Sequence, residues 1–112
     1  MLAPSVGNIH GDYPPEGPKL DFERLHSINK QLSGRSFSVL HGTNDFTPEI
    51  IRTCIKSGVV KLNVNKLLLA GWNEYLKNNV QQSLTDLITG GIAVLQKEVE
   101  QWMVICGSSG RA

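Results

Sequence analysis

Two histidines, each followed by glycine, close two apolar runs: Ser5-Val6-Gly7-Asn8-Ile9-His10-Gly11 and Ser36-Phe37-Ser38-Val39-Leu40-His41-Gly42. Imidazole is a ligand for zinc and related divalent ions, and two imidazoles supply half of a tetrahedral shell. The runs lie about thirty residues apart, with room between them for a turn and one amphipathic helix. If they are neighbouring parallel strands, both histidines emerge at the same edge of the sheet, where parallel α/β folds build their sites. The residues alone leave other roles open: His10 as a plain loop residue, His41 as a capped core histidine.

Other reactive side chains have simpler readings. His26 lies beside Leu25 in a helical stretch and is expected at the surface. Asp45 could orient a ligand from outside the coordination shell or cap the helix that starts near Thr47. Lys61 and Asn63 share one side of an extended run, and Lys61 reads as a solvated or ion-paired lysine rather than a Schiff base. Trp72 and Trp102 fall on apolar stripes and read as packing residues. Gly107 to Arg111 reads as a polar tail. Cys54 and Cys106 match no metal or redox spacing and are expected as two buried free thiols.

The positioning elements follow from periodicity and stop signals. Strands are expected near 1–8, 36–41 and 59–64, the first broken by Pro4 and the last rich in β-branched residues. His10 to Lys19 holds three prolines and two glycines and is a loop. Helices are expected near 21–32, 47–57, 66–77 and 81–103. Asp21 caps the first, and Phe22, Leu25, Ile28 and Leu32 form its apolar face. Thr47-Pro48-Glu49 starts the second, and Gly58 stops it. Gly90-Gly91, inside the stripe Leu84, Ile88, Ile92, Leu95, Val99 and Trp102, costs about 2 kcal/mol against alanines and predicts a kink.

This alternation implies right-handed crossovers and a parallel sheet within a single α/β domain over 1–112. Three strands starting at Met1 leave both edges of the sheet bare. The expectation is therefore a piece of a larger barrel, or a chain that pairs with another. With 11 basic and 10 acidic residues and a net charge of +1, composition gives no case for nucleic acid or a membrane surface. No apolar run approaches a bilayer span, and residues 1–20 do not form a secretory signal.

Gly7-Asn8-Ile9-His10-Gly11, Leu40-His41-Gly42 and Gly58-Val59-Val60-Lys61-Leu62-Asn63-Val64, in this order, resemble the class II, metal-dependent ketose-bisphosphate aldolases, the fructose- and tagatose-bisphosphate enzymes. The ending Ile105-Cys106-Gly107-Ser108 looks more like the tagatose type. The resemblance covers nearly the whole chain but only the C-terminal part of such an enzyme, the last three strands of an eight-stranded barrel. It implies that His10 and His41 bind the catalytic zinc and that Gly11 and Gly42 lie at the ketose-phosphate site. It further implies that Asn63 contacts the dihydroxyacetone-phosphate portion, and that Asn44, Asn65 and Lys66 lie in loops that hold the phosphate. The implied reaction is reversible aldol cleavage of a ketose 1,6-bisphosphate to dihydroxyacetone phosphate and an aldehyde.

The family's third metal histidine and its aspartate acid/base come from the N-terminal half, and no residue of this chain matches them. No catalytic residue is assigned here for that reason. Asn44 replaces a usual serine, and Asn65-Lys66 replaces a small or acidic residue followed by Thr or Ser. The alternative is an inactive truncated barrel or partner subunit that retains part of the metal and phosphate site. Expected partners are a sugar phosphate and either further copies of the chain or another half-barrel chain; the expected location is the cytoplasm.

Overall fold

The structure is a computed structural model, and it describes residues 1–111. The elements run α1 (Phe22–Leu32), β1 (Ser38–Leu40), α2 (Pro48–Lys56), β2 (Val59–Leu62), α3 (Lys66–Asn79) and α4 (Leu84–Cys106). The chain divides into two compact units, residues 1–64 and residues from 65 onward.

In the first unit, β1 and β2 pair in parallel, with Val39 opposite Lys61 and Leu40 opposite Leu62. The crossover between them is α2. The core is Val6, Leu25, Val39, Leu40, Phe46, Ile51, Cys54 and Val59, all buried. Local signals explain the helices. Asp21 accepts the Arg24 N–H at 2.8 Å and starts α1; Ser33 ends it in the left-handed conformation. Thr47 Oγ1 accepts the Ile50 N–H, Pro48 occupies the first turn, and Gly58 follows the end of α2 at φ +99°. The Asn29 side chain donates to the Ser57 carbonyl at 2.8 Å and ties α1 to the end of α2.

The expected first strand over 1–8 contracts to one parallel bridge, Leu2 opposite Ser38. Leu2 exchanges hydrogen bonds with the Phe37 carbonyl and the Val39 N–H, and Pro4 then offers no donor to continue the ladder. Val6 is buried, but its N–H goes to Asn8 Oδ1 and its carbonyl to the Asp21 N–H. Those partners satisfy the backbone without a neighbouring strand. The other two strands are also shorter than expected, although the Asn63 N–H still reaches the Leu40 carbonyl at 3.0 Å.

The second unit is a helical hairpin. α4 runs unbroken through Gly90-Gly91, where the sequence predicted a kink. A Cβ at Gly91 would run into the Trp72 ring, and one at Gly90 into the Tyr75 hydroxyl. The glycine pair therefore admits two aromatic side chains of α3 against the α4 backbone. α4 begins and ends three residues later than expected. Ser83 and Asp86 form a reciprocal cap at its start, and Gly107 closes it at φ +70°. No helix among the described residues is long and apolar enough to cross a membrane.

Candidate metal centre

His41 follows β1 directly. Leu40 is fully buried, so the end of the strand is anchored in the core and His41 leaves it half-buried at the rim. His10 stands exposed on the loop after Asn8. The two loops meet backbone to backbone. Gly42 has φ +63°, and a Cβ there would strike the Ile9 carbonyl, so only glycine allows this approach.

Side chains then fasten the loops. The Asn8 amide donates to the His41 carbonyl at 3.1 Å, and the Asn44 amide donates to the Gly11 carbonyl at 2.8 Å. The Tyr13 hydroxyl accepts the Ile9 N–H at 3.0 Å and donates to the Gly42 carbonyl at 2.7 Å. The Tyr13 N–H makes a long bond of 3.5 Å to Asp45 Oδ2. The Tyr13 ring lies 6.1 Å from that of the buried Phe46. Burial holds the Tyr13 hydroxyl's pKa above its ordinary value, against the lowering effect of the Ile9 N–H; the Asp45 carboxylate adds a smaller rise. The hydroxyl thus stays a donor at neutral pH.

With the loops fastened, the rings of His10 and His41 lie 5.7 Å apart, tilted by 58°. Two imidazoles that share one zinc through nitrogens about 2.0–2.1 Å away place their ring centres about 5–6 Å apart. The separation of the two rings lies within that range. Among the described residues no group of three His, Cys, Asp or Glu side chains comes together beside this pair.

Asn63 stands beside the pair. Its amide nitrogen is 3.0 Å from His41 Nε2 and 3.2 Å from Nδ1, so it faces the part of the ring that carries both nitrogens. Its Oδ1 accepts from the Lys61 ammonium, as their shared side of the strand predicts. The buried Thr43 hydroxyl donates to the Asn63 carbonyl at 2.6 Å. Asp45 takes neither role expected of it; Thr47 caps α2, and Asp45 meets the Tyr13 backbone.

The structure thus brings together His10, Gly11, His41, Gly42, Asn44 and Asn63. Gly11 is exposed, with open space where a Cβ would stand. Asn65 and Lys66 belong to the second unit, where they are the N-cap and first residue of α3 rather than part of an extended loop. Sequence reasoning missed Tyr13, Asn8 and Thr43. Asn8 carried a readable signal, an Asx residue after glycine that can bond to its own local backbone. Tyr13 sits in a proline-rich loop whose path no periodicity reveals.

The first unit is thus a parallel α/β arrangement in which the loop after β1 meets the loop that carries His10. The sequence profile of the fructose-bisphosphate aldolase class-II family matches residues 1–111, and the chain belongs to that family. A Coccidioides immitis protein named for fructose-bisphosphate aldolase is 41% identical over 115 residues, covering 99% of this chain and 37% of its own. The fructose-bisphosphate aldolase of Streptococcus pneumoniae is 33% identical over 126 residues, covering all of this chain and 43% of its own. The crystal structure of a fructose-1,6-bisphosphate aldolase-like protein from C. immitis superposes with a TM-score of 0.92 at 38% identity, over 98% of this chain and 39% of that one. The chain thus spans about two-fifths of the length of the relatives it matches.

Proposed function

We propose that this chain carries the C-terminal part of a class II aldolase site. In this reading its strands are the last of an eight-stranded barrel. The reaction is zinc-dependent, reversible aldol cleavage of a ketose 1,6-bisphosphate, of fructose or tagatose type, to dihydroxyacetone phosphate and an aldehyde. The observation that carries it is the 5.7 Å approach of the His10 and His41 rings in a chain of this family.

His10 and His41 hold the zinc. The bound ion supplies a Lewis acid for the substrate's carbonyl oxygen. Asn63, oriented by Lys61, presents its amide to an oxygen of the dihydroxyacetone-phosphate portion. Gly11 and Gly42 bring backbone close to the ketose phosphate, and Gly11 has open space for it. Asn44 spends its amide on the Gly11 carbonyl, so it shapes the phosphate loop through that loop's backbone. Asn65 and Lys66, at the positive end of α3, suit a phosphate group. The proton-transferring group belongs to the part of the family not matched by this chain.

Exposed apolar residues support association with a chain that completes the barrel, or with further copies. Phe37 and Val60 are 58% and 59% exposed on and beside the short sheet, and Leu84 and Ile92 are 72% and 55% exposed on α4. The working compartment in this reading is the cytoplasm, without nucleic-acid or membrane partners. The test is cleavage of fructose and tagatose bisphosphates by this chain with zinc, alone and mixed with the N-terminal part of a relative. Turnover that requires zinc and His10 supports the reading; no turnover in either mixture defeats its enzymatic part.

A further inference from the structure

We propose that Tyr13 is a positioning residue that sets the separation of the two imidazoles. Its single hydroxyl oxygen bonds to both loops at once. The Ile9 N–H belongs to the residue before His10, and the Gly42 carbonyl to the residue after His41. Each histidine is therefore one residue from a shared anchor.

Burial does not hold the first loop in place, because Ile9 and His10 are both exposed. Asn8 and Asn44 each contribute one bond between the loops. Tyr13 makes one between the loops, to the Gly42 carbonyl, and a second within its own loop, from the Ile9 N–H, both through a ring set against the buried Phe46. Removing the hydroxyl leaves the Ile9 N–H and the Gly42 carbonyl without that partner and frees the His10 loop to swing. The benefit to a metal rests on the zinc reading above, whereas the clip itself does not.

The test uses the whole chain and Tyr13→Phe, which keeps the ring. In the metal-free wild type, NMR cross-relaxation links the His10 and His41 ring protons, and the Ile9 amide exchanges slowly with solvent. Tyr13→Phe loses the ring cross-peaks, speeds Ile9 exchange, and weakens Co2+ affinity by about 10–100-fold with an altered visible spectrum. Thr47→Ala, which weakens α2 in the same unit without touching these loops, leaves all three readouts unchanged. Tyr13→Phe with intact cross-peaks and unchanged Co2+ affinity overturns the proposal. So does an Ile9 amide in the folded wild type that exchanges as fast as an open loop, a result that needs no variant. A wild type that binds no Co2+, with cross-peaks that vanish in Tyr13→Phe, defeats the zinc reading and leaves the clip standing.

Discussion

Gly42 shows how one residue's identity is fixed by a neighbour far away in sequence. Its positive φ and the Ile9 carbonyl beside it both exclude a side chain. Gly42→Ala is expected to lower stability by about 2–3 kcal/mol in denaturant unfolding and to separate the two histidine loops. The family resemblance marked Gly42, but the loop it meets cannot be seen along the chain. Cys54 gives a second prediction at this scale. It is fully buried, and burial pushes its thiol up to about 11 from 9.0. A raised folded pKa means that this stability is complete below about pH 9 and is lost as pH climbs toward 11, by about 3 kcal/mol. Unfolding followed across that range should show the loss, and Cys54→Ala should remove this contribution. His41 follows β1 as its apolar run suggested, whereas the run before His10 forms no strand beyond the Leu2 bridge. Tyr13 was not legible, because its partners are backbone atoms on two different loops.

At the scale of elements, the helix starts were the most legible features. Asp21 and Thr47 act as the caps their types suggest, since cap chemistry is local. Thr47→Ala is expected to cost about 1 kcal/mol by denaturant unfolding. The strands were less legible. The first shrinks to a bridge at Leu2 because Pro4 lacks a donor and Val6 finds its partners in Asn8 and Asp21. Gly90-Gly91 was misread as a kink because helix propensity alone says nothing of the rings packed on it. Gly91→Ala separates the two effects. Propensity favours alanine by about 1 kcal/mol, whereas the Trp72 ring occupies the space of the new methyl. The variant is therefore expected to melt α3 and α4 at a lower temperature, by circular dichroism. A higher melting temperature would mean that Trp72 moves aside freely.

At the scale of the whole molecule, the alternation of strand and helix was readable, and the family followed from three ordered motifs. Which apolar stripes find partners was not readable, because that depends on long-range packing. The buried side chains of the core all lie in the first unit, while α3 buries no residue fully. The metal reading belongs to this scale too, since its two imidazoles come from loops about thirty residues apart. X-ray absorption on the chain loaded with one equivalent of zinc tests it most directly. Wild type should show two imidazole nitrogens at about 2.0–2.1 Å, with the remaining positions filled by oxygen. His10→Ala and His41→Ala should each remove one of the two. A zinc spectrum without imidazole scattering, or one unchanged in both variants, would contradict the account.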